Sequence, residues 1–410
     1  MKNMRNQGVH YAWWVTLGCG IVILYQLGLA FNCISIFLNP LMESLGTNNT
    51  VRSSLTSLFQ IGSVLSLPFV SPMAEKIGLR RLILCCGLCS ASGYVILSIA
   101  KSIALCYIGM LLIGISFGAG AAVPVSLLLA KWFFKKKGFA IGLAMVGSGV
   151  ATIFAPAMIR DIIAGHSVQT AFLVQAVMIT ALAFVAFLLI RNTPEEKGLC
   201  AYGGTSYDEE KENETPKVRL HEAVQQKSFL AAAAATLLVG TIISPVITHL
   251  SPLISQSGYS EELAATAVSI YGIVMLASKP IFGMIIDKYG VLKANTFAYG
   301  FILLTMVDGL LLHCGKMMVY GFPTFFAIGG ATITNIGLPI WCNELFGQKN
   351  MGSMFAMLKL CVFIGAMIGS AIPGIIMDRT GSYNGLFLYY IVVALLSYAI
   401  IQLAFIKGKK

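Results

Sequence analysis

Lys279-Pro280 lies inside an apolar run that opens near Leu263 and closes at the charged turn Asp287-Lys288-Tyr289-Gly290. A second lysine, Lys359, interrupts another apolar run after Met351-Gly352. If these runs cross a bilayer, Lys279 sits roughly eight residues deep, about 12 Å at 1.5 Å per residue. A cation at that depth costs about 3 kcal/mol on insertion scales and more in simulations. Two ammonium groups at similar depth facing one cavity also repel each other, and an anion between them relieves both costs. The chemistry these residues offer is electrostatic capture of a small anion such as a carboxylate. The bland alternative is that each lysine stretches its stem to the headgroups. Pro280 weighs against that for Lys279, because helix breaks at membrane depth are tolerated where they line a cavity. Lysine lacks the bidentate fork of arginine, so carboxylate recognition here is less strict geometrically.

Other polar residues inside apolar runs carry weaker signals. Tyr25, Gln26, Asn32, Gln60, Tyr271 and Asn335 are placed to line a cavity or, equally, to bond between helices. His249 and Asp308 are suited to carrying a proton, a histidine because its reference pKa is about 6.5, and Lys279 could itself release one if desolvated. The structural alternative for each is an interface residue. The ten cysteines lie mostly in apolar runs without metal-ligand or disulfide spacing and read as packing residues. No phosphate-binding loop or catalytic constellation is present, so neither an enzyme nor a cofactor is expected.

The elements that would position these groups are membrane helices. The chain has 410 residues, of which 57% are hydrophobic and 11% charged, with a mean hydropathy of +0.82. Soluble domains carry about 25% charged residues. Twelve apolar segments have the ~20-residue length that a bilayer demands, near 11–38, 51–74, 82–100, 103–130, 138–164, 169–190, 229–254, 263–286, 294–313, 319–343, 353–376 and 385–406. The first run is too long for a cleavable signal peptide. Residues 191–227 form one long polar interval, including Asp208-Glu209-Glu210-Lys211-Glu212, and are expected to be a flexible cytoplasmic linker. It separates an N-terminal six-helix bundle at 1–190 from a C-terminal one at 228–410. With both termini cytoplasmic, 21 of the 28 Lys and Arg fall on the inner side and five on the outer. The net charge of +11 therefore reads as topology rather than nucleic-acid binding.

The two halves echo each other. Pro68, Glu75 and Gly78 match Pro280, Asp287 and Gly290 at an offset of 212. Pro156 and Asp161 match Pro373 and Asp378 at 217, and Pro124 matches Pro339. Such duplication is expected of transporters whose site lies near the midplane between repeats.

The turn Gly283-x-x-x-Asp287-Lys288-x-Gly290 resembles the signature of the major facilitator superfamily. The first copy departs from it, with Ser71 and Glu75 at the glycine and aspartate positions. The resemblance implies that Gly283, Asp287, Lys288, Gly290 and Glu75 act as a conformational latch. Within that superfamily the chain is similar to the oxalate:formate antiporters and monocarboxylate transporters. The likeness rests on Tyr11-Ala12-Trp13-Trp14, Asn39-Pro40, Lys131-Trp132-Phe133-Phe134-Lys135-Lys136-Lys137-Gly138, Gly147-x-Gly149, Lys279-Pro280 and Lys359. It implies a basic residue at 279 holding a substrate carboxylate, with Lys359 matching the lysine of the oxalate-handling branch.

The expectation is an all-α integral membrane protein of twelve helices in two pseudo-symmetric six-helix bundles. It is a cell-membrane carrier, functional as a monomer, that moves a small mono- or dicarboxylate by alternating access. Lys279, Lys359, Asn32, Tyr271 and Asn335 bind the anion, and coupling is by anion exchange or proton symport. The rival readings are an exporter of amphipathic compounds, in which Lys279 only snorkels, and a receptor or scaffold built on the same fold.

Overall fold

The computed structural model describes all residues except 1–8, 48, 205–221, 223–224, 249, 381 and 409–410. The chain forms two compact units, Met1–Glu214 and Thr215–Lys410. The first holds α1 (Tyr11–Leu45), α2 (Ser54–Ile77), α3 (Leu79–Ser98), α4 (Ile103–Trp132), α5 (Lys137–Gly165) and α6 (Val168–Leu189). The second holds α7 (Lys227–Thr248), α8 (Glu261–Tyr289), α9 (Val291–Leu310), α10 (Lys316–Phe346), α11 (Gln348–Thr380) and α12 (Asn384–Gly408). Among the described residues, eleven of these are long and apolar enough to cross a membrane by composition alone. The twelfth, α9, is a 20-residue helix whose apolar character is diluted by Lys293, Asn295 and Asp308. Large apolar side chains such as Ile153, Val177, Leu188 and Ile273 are exposed, as lipid-facing helix surfaces require.

Several of these helices are irregular, mostly near prolines. A proline removes one N–H and its ring presses on the carbonyl four residues back. In α4 the helix breaks at Ala121 (φ −95°, ψ −110°), three residues before Pro124. In α10 the winding loosens to a π-helix over Ile333–Gly337, just before Pro339. The offset that pairs the two prolines pairs Ala121 with Ile336, so both repeats are interrupted at matched positions. In α2, Pro68 sits in the 3-10 turn Leu67–Phe69. α1 also carries a π-helix, Leu24–Asn32. Its Leu29 and Ala30 carbonyls accept hydrogen bonds from Gln175 Nε2 of α6 (2.9 Å) and Tyr94 Oη of α3 (3.0 Å).

The turns repeat as well. Gly78 and Gly290 both adopt positive φ (82° and 79°) and are the only residues between α2 and α3 and between α8 and α9. Only glycine takes that conformation at low cost. Residues expected in a charged loop, Asp287 and Lys288, instead form the exposed last turn of α8.

The interval expected to be a flexible linker is in part packed. Pro194–Lys197 form a 3-10 turn with Pro194 buried. Trp132 Nε1 donates to the Arg191 carbonyl (2.9 Å), and Tyr202 N donates to Trp132 O (2.8 Å). Asn192 Oδ1 accepts from Arg80 N at the start of α3 (2.9 Å). The Tyr202 ring contacts His10, Trp13 and Phe133. Tyr202 and these aromatic partners bury enough apolar surface to hold 191–204 down, although the charged run that follows gave the interval its polar look.

In the first unit α2 and α4 touch backbone to backbone. A Cβ added at Gly114 would overlap the Phe59 carbonyl. Replacing Gly114 by valine forces the helices apart, and about 1–3 kcal/mol of stability is lost, as in other overpacked cores. Thermal unfolding of purified protein in detergent should show that loss, and an unchanged midpoint would refute the contact.

Candidate functional site

Among the described residues, no equivalent glycine seam joins α8 and α10 in the second unit. Gly272 has nothing within 4 Å of its would-be Cβ. Side chains fill the interval instead. The Tyr271 ring of α8 stacks on Phe326 of α10 at 6.0 Å. One helical stretch further, Ser278 Oγ donates to the Ala327 carbonyl of α10 (3.0 Å) and to Met275 O (3.2 Å). The next residue is Lys279, 1% exposed and among the largest fully buried side chains, in the company of Trp341 and Phe282. Pro280 follows inside the helix.

Lys359 lies on α11, half-buried, with its Nζ 3.4 Å from the Thr334 carbonyl of α10 and 5.9 Å from the Phe363 ring one turn along. Thr334 belongs to the π segment. Asn335, beside it, turns its Nδ2 back to the Ala331 carbonyl (2.8 Å) and is half-buried. α10 is thus the common support, with α8 bringing Tyr271 and Lys279 and α11 bringing Lys359.

Chain order fixes their relative depth. α8 ends where α9 starts, and α11 starts where α10 ends, so the ends of α8 and α11 nearest the lysines lie on one side of the membrane. Lys279 precedes Tyr289 by ten residues and Lys359 follows Gln348 by eleven. At 1.5 Å per residue both lie about 15–17 Å along their helices from those ends, at matching levels.

The remaining expected residues are dispersed. Asn32 is in the first unit, half-buried at the end of its π segment. Tyr25 and Gln26 there are fully buried and bond between helices, Tyr25 Oη to Ile83 O (3.4 Å) and Gln26 Nε2 to Ser116 Oγ (2.9 Å). Asp308 is buried near the far end of α9, about 26 Å from its start and some 10 Å beyond the lysine level. Its Oδ2 has no hydrogen-bond partner and lies against Gly321 of α10. His249 lies outside the described residues. Of the latch, Gly283 is buried, whereas Glu75, Asp287, Lys288 and Gly290 are exposed, and Lys288 Nζ lies 5.2 Å from its neighbour's Tyr289 ring. Sequence reasoning missed Ser278, Phe326 and the Thr334 carbonyl. The one available signal for the last was Pro339 inside an apolar run.

Twelve long helices in two repeated six-helix units, eleven of them apolar enough to span among the described residues, with one lysine fully buried and a second half-buried, fit a multi-pass membrane transporter rather than an enzyme. Residues 20–370 match the Major Facilitator Superfamily, and the chain belongs to that family. It is similar to Monocarboxylate transporter 12 of Rattus norvegicus, 24% identical over 407 residues, covering 92% of this chain and 82% of the relative. Similarity to Monocarboxylate transporter 4 of Gallus gallus is 22% over 391 residues, covering 92% and 79%. The fold matches the proton:xylose symporter XylE bound to 6-bromo-6-deoxy-D-glucose, with a TM-score of 0.72, 12% identity and coverage of 96% and 95%. It also matches the human organic anion transporter MFSD10 (TETRAN), with a TM-score of 0.71, 15% identity and coverage of 96% and 100%.

If the Tyr271–Phe326 stack holds α8 to α10, Phe326→Ala costs about 3 kcal/mol, the usual range for a buried aromatic truncated to alanine. Tyr271→Phe keeps the ring and changes stability little. Detergent melting curves of the two variants check this, and equal losses would mean that the hydroxyl, not the ring, carries the contact.

Proposed function

We propose that the protein is a secondary active transporter of a small organic anion, a mono- or short dicarboxylate, working by alternating access. The observation that carries this reading is Lys279, fully buried within α8, with Lys359 at a matching level on α11. An ammonium group taken so far from water is tolerated when its charge has a use, and a carboxylate guest supplies one. The printed names of the relatives, monocarboxylate transporters, support the same substrate class. Tyr271, Asn335 and Asn32 are assigned to the lining of the path. The latch residues Gly283, Asp287, Lys288, Gly290 and Glu75 are assigned to conformational control. The lysine and arginine distribution supports an orientation with both termini cytoplasmic, and the protein is assigned to the cell membrane, acting as a monomer.

Counterflow of labelled lactate, pyruvate, oxalate and malonate into proteoliposomes tests the assignment. Losing a charge-assisted hydrogen bond to the substrate costs about 1.5–3 kcal/mol, so Lys279→Gln and Lys359→Gln should each raise the KM roughly tenfold or more. Full carboxylate flux in Lys279→Gln would leave the export of amphipathic compounds as the better reading. Two modes of coupling are carried forward, anion exchange and proton symport. In the second, Lys279, His249 or Asp308 carries the proton; with Asp308 as the carrier, Asp308→Asn retains counterflow while losing uptake driven by a pH gradient. Uptake that survives in that variant removes Asp308 from the proton path.

A further inference from the structure

The π-helical turn in α10 changes which backbone groups are paired. Leu338 donates its N–H to the Ile333 carbonyl, five residues back. In an ordinary α-helix that N–H would have served Thr334. The donor five residues beyond Thr334 is position 339, which is proline and has no N–H. Both ladder donors are therefore denied to the Thr334 carbonyl. A backbone acceptor left bare at membrane depth is costly and is met by some other group. Here that group is Lys359 Nζ, at 3.4 Å.

We infer that Pro339 is a positioning residue for anion binding: by removing the one ladder donor that the π turn leaves to the Thr334 carbonyl, it provides the resting seat of the Lys359 ammonium. The seat is a neutral dipole, not a carboxylate. Among the described residues Lys359 thus meets a dipole rather than an opposite charge, and it exchanges a backbone oxygen for a substrate oxygen when an anion arrives. A carboxylate seat would compete with the substrate as a full charge. A carbonyl competes weakly, yet keeps the four-carbon stem from swinging toward the headgroups. The same turn places Asn335 next to the seat.

This inference rests on the carboxylate reading of Lys359, and a four-protein cycle separates the two. Wild type, Pro339→Ala, Lys359→Gln and the double variant are reconstituted as full chains, and the counterflow KM is measured with labelled oxalate and lactate. Alanine at 339 restores an N–H that competes for the Thr334 carbonyl. Pro339→Ala should raise KM about five- to twentyfold in the wild-type background and less than twofold in the Lys359→Gln background. A proline with a merely structural role would multiply the two losses, and that result overturns the inference. So does an unchanged KM in Pro339→Ala beside an impaired Lys359→Gln. An unchanged KM in Lys359→Gln removes Lys359 from anion binding altogether and takes the inference with it. Should Pro339→Ala not reach the membrane, Pro339→Gly restores the same N–H in a backbone able to keep the wide turn, and replaces it in the cycle.

Discussion

Inside a bilayer every backbone N–H and C=O must find a partner within the protein. That constraint explains most of the irregular features of this chain. Each break in a helical ladder creates an acceptor that some other group must meet. The π segment of α1 is answered by Gln175 and Tyr94 from two neighbouring helices. The π segment of α10 is answered by a lysine from α11. The first answer is neutral and ties three helices together. The second enlists a charged side chain, that of Lys359.

The two repeats use the same positions for different ends. Both interrupt the fourth helix of the bundle three residues or so before a proline, and both join their second and third helices through a single left-handed glycine. In the first unit the second and fourth helices meet through Gly62, Gly114 and Gly118 with little space for chemistry. In the second, aromatic stacking and Ser278 hold the corresponding pair, and Lys279 is inserted beside them. At this pair of helices one copy packs through glycines and the other through an aromatic stack and a hydroxyl.

The fold was legible in the sequence because lipid imposes so strong a pattern: length, apolarity and charge-poor runs marked the helices, and repeated prolines marked the halves. Helix ends were less legible. Asp287 and Lys288 looked like loop residues, yet a helix end in water accepts charges readily, and Gly290 alone makes the turn. The lysines stood out because buried charge is rare. Their supports did not, because Phe326 is one of 24 phenylalanines and a carbonyl has no letter of its own. Tyr25 and Gln26 show the converse: polar residues inside an apolar run that are buried and bonded between helices, a distinction that depends on which way a side chain faces.

The packed stretch from Arg191 to Gly204 has a practical meaning for dissecting the molecule. It covers Trp132, caps the start of α3 through Asn192 and closes an aromatic cluster with His10 and Trp13. The first bundle therefore owns this segment as a lid of its own. Halves expressed as separate polypeptides, or a fluorescent protein spliced into the chain, belong after Gly204. A cut at Arg191 would leave an indole and the first turn of α3 stripped of their cover.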